Sequence, residues 1–131
     1  EPTMKVGCHA RPPTGPERDR IATFKALGCI CCSLNRAAGR PTLPVGPAEA
    51  HHLLSGGRRR GHRYTIGLCP WHHRAIPPYA TRTDALIQRF GPSVATGSRA
   101  FHAEYGSDDA LLEYQDALLA AVRKLIDEAM V

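Results

Sequence analysis

Apolar side chains recur at helical spacing in three stretches of the chain. Ile21, Phe24 and Leu27 mark a short helix over 17–27, and Gly28 follows as a stop. Leu86, Ile87 and Phe90 give one apolar side to a second helix over 83–90. The longest pattern comes last. Leu111, Leu112, Leu118, Leu119, Val122, Leu125, Ile126 and Ala129 form one stripe over 107–130, with Ser107 as cap and Asp108 and Asp109 at the positive helix end. That stripe predicts core packing, with a dimer seam as the lesser alternative.

The middle of the chain reads differently. Residues 49–54 form a short strand centred on two adjacent histidines, and 63–68, with Tyr64, Thr65 and Ile66, form a second. Between them the SGGRRR run at 55–60 is a basic loop. Pro70 opens a helix that holds Trp71, His72, His73 and Arg74 in its first turns, and Pro77 and Pro78 end it. The order is strand, loop, strand, helix. Residues 1–16, 33–47 and 91–97 read as irregular. The expected organisation is an α+β fold, with an arm over 1–16 and one domain over 17–131 that ends in the long helix.

Composition sharpens this picture. With 131 residues, 11 prolines and 12 glycines, the chain is a small loop-rich body with a thin core, and such bodies are commonly held by metal or disulfides. Of the five cysteines, Cys29, Cys31 and Cys32 fall within four positions, which suits a metal site better than a disulfide framework. A reducing, cytoplasmic setting is therefore expected. No run approaches the length of a membrane span. The net charge is +5, and fourteen of the seventeen basic residues are arginines, a side chain whose planar fork suits phosphate oxygens. This balance suggests an anionic partner, nucleic acid being the usual one, with a basic protein that has no such partner as the alternative.

Cys29-x-x-Cys32 and Cys69-x-x-His72 are the strongest chemical signal. Each pair can hold one edge of a zinc tetrahedron, and the gap of about forty residues leaves room for the strands between. These four are the expected structural zinc ligands. Cys31 makes a poorer knuckle with Cys29, and Cys8 beside His9 reads as a free thiol in the arm. His51 and His52, adjacent on a strand, present their side chains to opposite faces, so one can ligate a metal while the other meets substrate. His73 follows a zinc ligand on the helix and points elsewhere, free for a second ion. Arg58, Arg59, Arg60 and Arg63 flank the histidine strand, and Arg74 and Arg99 lie near the other site elements, where they can grip phosphates.

The segments AEAHHL (48–53), HRYTIGLCPWHHR (62–74) and FHAEYGSDDALL (101–112) resemble the HNH superfamily of nucleases. More narrowly, they resemble the phage Ref recombination-enhancement nucleases and their prophage relatives, over about residues 28–113. The resemblance implies a zinc-stapled ββα-metal core. It implies that His51 and His73 ligate a catalytic divalent ion (Mg²⁺, Mn²⁺ or Zn²⁺) and that His52 is the general base. It further implies that DNA is cut, in the phage prototype on strands displaced within RecA filaments. Two positions depart from the family pattern. Tyr64 stands near the place of the asparagine that gives HNH its middle letter. Thr96 occupies the place where a third histidine ligand is expected, with His102 the nearest imidazole and water the other candidate. The main rival is a zinc-stapled DNA-binding module that no longer cuts; a third is a protein-interaction domain built on the last helix.

Overall fold

A computed structural model describes residues 11–44 and 46–131; Cys8 and His9 lie outside them. Among the described residues, six helices and two small two-stranded antiparallel sheets are built from these elements in chain order: α1 (Gly15–Leu27), α2 (Ile30–Ala37), β1 (Glu49–His52), β2 (Leu54–Ser55), β3 (Arg58–Arg59), β4 (Thr65–Leu68), α3 (Pro70–Arg74), α4 (Thr83–Phe90), α5 (Ser98–Tyr105) and α6 (Asp108–Ala129). A 3-10 turn at Val94–Thr96 precedes α5. The α+β expectation is met, and among the described residues no helix is long and apolar enough to cross a membrane.

Helix α1 starts two residues before the sequence suggests, because Thr14 and Glu17 form a capping box. The Thr14 hydroxyl accepts from Glu17 N at 3.3 Å, and Glu17 Oε1 accepts from Thr14 N at 2.9 Å. Helix α2 replaces part of the loop expected over 33–47. It follows Cys29 directly and buries Ile30, Cys31, Cys32 and Asn35. Helix α5 is likewise unexpected; it buries Phe101 and Tyr105, four apart on one face.

β1 pairs with β4 in the register Glu49↔Leu68, Ala50↔Gly67, His51↔Ile66 and His52↔Thr65. The single strand expected over 49–54 breaks after His52. Leu54 and Ser55 turn back on Arg59 and Arg58 instead, around Gly56 and Gly57, both with positive φ (60° and 81°). Two consecutive positive φ values make the tight turn that matches strand twist, which only glycine-like residues adopt cheaply. The basic loop is thus a hairpin.

The main core gathers Ile30, Cys31, Leu53, Ile66, Leu68, Phe101 and Leu111 from α2, the link between β1 and β2, β4, α5 and α6. A smaller cluster of Trp71, Leu86 and Phe90 lies under α3 and α4. Phe24 of α1 seats over Gly67, where an added Cβ would lie 3.0 Å from its ring. Arg20 ties three elements together, donating to the Thr65 carbonyl at 2.7 Å and to Asp116 at 2.6 Å. The apolar stripe of α6 is core only in its first half. Leu111 is buried, but Leu125 and Ile126 are 65% and 49% exposed, because the helix runs on past the body it packs against.

Candidate metal centre and active site

Chain order brings the two knuckles together. Cys29 and Cys32 sit at the start of α2, and Cys69 and His72 sit at the β4–α3 junction. Their four ligand atoms lie within 4.8 Å of one another. His72 Nδ1 is 3.5 Å from Cys29 Sγ, 3.7 Å from Cys32 Sγ and 3.3 Å from Cys69 Sγ, and the Cys32 and Cys69 sulfurs are 4.0 Å apart. A zinc tetrahedron with Zn–S near 2.3 Å and Zn–N near 2.0 Å has edges of about 3.5–3.8 Å, so the residues fit that ion. The opposite face of His72 is also settled: its Nε2–H donates to the Phe90 carbonyl at 2.8 Å, which leaves the Nδ1 lone pair for metal. Tyr105 Oη sits 2.9 Å from the same carbonyl and 3.1 Å from Asn35 Oδ1.

Without a cation these groups cannot all take their metal-binding form. Burial pushes the Cys29 thiol up, and hydrogen bonds from Cys29 and Cys69 hold Cys32 well below the thiol range. Contacts with Cys29 and Cys32 push Cys69 well up. Burial would lower His72, but the Cys32 and Cys69 sulfurs outweigh it and raise it to about 9. A divalent cation removes the conflict by stabilising the thiolates together with a neutral imidazole.

The histidine strand serves two different neighbours. Glu49 and His51 share one face of β1, two residues apart. Helix α3 presents His73 to that face, with the His51 and His73 ring centroids 5.2 Å apart, edge to face. His73 Nδ1 lies 2.8 Å from Glu49 Oε1, so the carboxylate orients the ring and leaves Nε2 outside that contact. Arg74 also holds Glu49, and Arg74 first and His73 second keep that carboxyl at about 2. Burial pushes the His51 imidazole down, with the charge of His73 adding and Asp108 opposing. His52 turns instead to His62, its Nε2 3.1 Å from His62 Nδ1. Burial, then the nearby Arg59 guanidinium, lower His52 to about 4. Both strand histidines are thus neutral at ordinary pH.

The model of the family described as recombination enhancement, RecA-dependent nuclease matches residues 13–120. The chain belongs to this family. No curated protein matches it closely enough to count as a relative. The match covers every element from the α1 cap into α6, including both groups of histidines.

For this nuclease the remaining expected site residues fall in distinct places. Thr96 closes the 3-10 turn, its hydroxyl donating to the Ser93 carbonyl at 2.9 Å and accepting from Ser93 N at 3.0 Å. His102 has both ring nitrogens engaged, Nδ1 with the Ser98 carbonyl at 2.8 Å and Nε2 with Asp108 Oδ1 at 2.7 Å. Among the described residues, the Cys29, Cys32, Cys69 and His72 set is the only group of three or more His, Cys, Asp or Glu side chains gathered so closely; His51 and His73 form a pair. Arg58 and Arg59 are exposed on the hairpin, and Arg63 and Arg99 are exposed as well. Arg60 pairs with Asp109 at 2.9 Å and lies over the Tyr64 ring, and Arg74 pairs with Glu49, so these two are already committed. Sequence reasoning missed Glu49, His62 and Asp108. Their roles arise from side-chain meetings across the fold, and no spacing along the chain announces them.

Proposed function

We propose that this nuclease is a metal-dependent DNA endonuclease of the HNH type that hydrolyses phosphodiester bonds during recombination. The observation that carries the reading is the β1–β4–α3 unit, which sets His51 and His73 edge to face while His52 stands beside them, neutral and differently directed. In this reading His51, and His73 through Nε2, hold the catalytic ion. A divalent ion bound there polarises the phosphate and stabilises the leaving oxygen. His52 accepts a proton from the attacking water, which its unprotonated state at neutral pH permits. Arg59, whose charge acts on His52, holds the phosphate from the hairpin side. Zinc at the Cys29, Cys32, Cys69 and His72 site is structural. The family's name extends the reading to action with RecA filaments, which cleavage assays with and without RecA would decide.

The test is nicking of supercoiled plasmid across a metal titration. His52→Ala should lose about two to four orders of magnitude, the usual worth of a positioned base. His51→Ala and His73→Ala should need more Mg²⁺ or Mn²⁺. Cutting by His52→Ala at the parent rate would remove the assigned base. One observation favours the rival, a DNA-binding module without catalysis: Thr96 is engaged by Ser93 within its own turn, and His102 by Ser98 in its own helix and by Asp108 on the next. Absence of cutting under every metal, Thr96→His included, would establish that rival.

A further inference from the structure

We propose that His62 is the positioning residue of the base. Its Nδ1 accepts the Nε2–H of His52, its own Nε2–H is anchored on the Arg11 carbonyl, and His52 Nδ1 is thereby left as the atom that takes the proton. The proposal rests on His52 being the base.

Hydrogen-bond chemistry assigns each proton in turn. His62 Nε2 lies 2.7 Å from the Arg11 carbonyl oxygen. A carbonyl only accepts, so this nitrogen carries a hydrogen. A neutral imidazole carries one N–H, so His62 Nδ1 is an acceptor. The group that faces it at 3.1 Å, His52 Nε2, must then donate. That leaves the lone pair of His52 on Nδ1, an atom with no hydrogen-bond partner among the described residues. The two rings meet edge on, 5.2 Å between centroids at 73°, as such an in-plane contact requires.

The relay is held at both ends. Thr65 Oγ1 donates to the His62 carbonyl at 2.7 Å, and Tyr64 N donates to the Gly61 carbonyl at 3.1 Å, which fixes the turn that carries His62. On the other side, the Arg11 guanidinium pairs with both oxygens of Glu17, at 2.8 and 3.0 Å. Glu17 is the third residue of α1 and closes the capping box with Thr14, and Arg18 donates to the Pro13 carbonyl at 2.9 Å. The orientation of the base thus traces back to a helix cap. Tyr64 lies under Arg60, 4.5 Å from its guanidinium carbon. Among the described residues, His62 is the one side chain hydrogen-bonded to the His52 ring.

The experiment uses the zinc-loaded full chain. Single-turnover nicking at saturating metal and plasmid is measured for the parent, His52→Ala, His62→Leu and His62→Asn, beside ¹⁵N spectra of the imidazole rings. His62→Leu should cut about ten- to hundredfold slower, the usual cost of losing such a supporting partner. Its DNA affinity and metal midpoint should not change. His62→Asn, whose Oδ1 can replace the lost acceptor, should recover most of the rate. In the parent, both His52 and His62 should carry their protons on Nε2. A His62→Leu variant that cuts at the parent rate while His52→Ala does not would overturn the relay and leave the base assignment standing. Parent-rate cutting by His52→Ala, or a parent that does not cut, overturns both. A loss in His62→Leu that Asn does not recover, or a parent spectrum with the His62 proton on Nδ1, overturns the positioning role. The spectrum of the parent needs no variant to fold.

Discussion

Gly91→Ala should destabilise the zinc centre from outside it. Gly91 has φ 87° and ψ 164°, a region essentially closed to residues with a Cβ, where forcing one costs about 1–3 kcal/mol. An alanine Cβ there would stand 2.0 Å from Tyr105 Oη and 2.9 Å from its Cζ. The ring must therefore move, and its hydroxyl gives up its buried contacts with Phe90 and Asn35, at about 1–3 kcal/mol more. The sum of roughly 2–6 kcal/mol is a large share of the roughly 5–15 kcal/mol that small domains possess. A fall in Tm of about 10 °C or more follows. The Phe90 carbonyl that holds His72 is the next link, so zinc should also pass faster to a chromogenic chelator. Tyr105→Phe removes only the hydroxyl and should cost about 1 kcal/mol. The double variant avoids the 2.0 Å clash, so its loss should be smaller than the sum of the two single losses. A Gly91→Ala melt within about 1 °C of the parent, or strict additivity, would refute the reasoning.

Elemental analysis should find one tightly held zinc in the structural site. Cys32→Ala should abolish the cooperative melt, because structural zinc is commonly worth about 10–16 kcal/mol, more than such a domain can spare; a folded, zinc-free Cys32→Ala protein would count against it. Arg58→Ala with Arg59→Ala should lower the slope of log affinity for DNA against log salt by about 2, since each lost phosphate contact removes about 0.9; Arg60→Ala, already paired with Asp109, should change it less. Glu17 is held at about 2 by the Arg11 guanidinium, against an ordinary 4.5. Its folded value is the lower one, so its contribution is complete above about pH 4.5 and is lost as pH falls toward 2. Glu17→Gln should erase that acid-side loss in a circular-dichroism titration, and identical titrations of parent and variant would contradict the cap.

The Cys29, Cys32, Cys69 and His72 cluster was legible because two candidate ligands three residues apart on a turn constrain geometry locally, as at Cys29 and Cys32. The helices over 83–90 and 107–130 were legible from periodicity, and the latter also from the Ser107 cap. The second helix, Ile30–Ala37, was not. Its N-cap is a cysteine with no side-chain cap bond, so the start lacks the usual oxygen signal. The helix Ser98–Tyr105 starts from Gly97, again without a capping side chain. The break after His52 was hidden because the Gly56–Gly57 turn reads equally as loop or hairpin. Glu49 was legible only as a strand residue. Its value lies in meeting His73 and Arg74, and that meeting depends on α3 crossing β1.

Helix α3 has five residues, and two of them, His72 and His73, adjoin. Neighbours on a helix stand about 100° apart, so one short rod points one imidazole at the Cys29, Cys32 and Cys69 sulfurs and the next at His51. The rod has no slack. A single inserted residue before Trp71 would swing both rings through the same angle, exchanging the imidazole offered to each side for a wrong one. The pair of sites is geared: neither can be retuned by moving this helix without detuning the other. Substitution of surrounding side chains, and not displacement of α3, is the route by which one histidine's surroundings could change while the other's are kept.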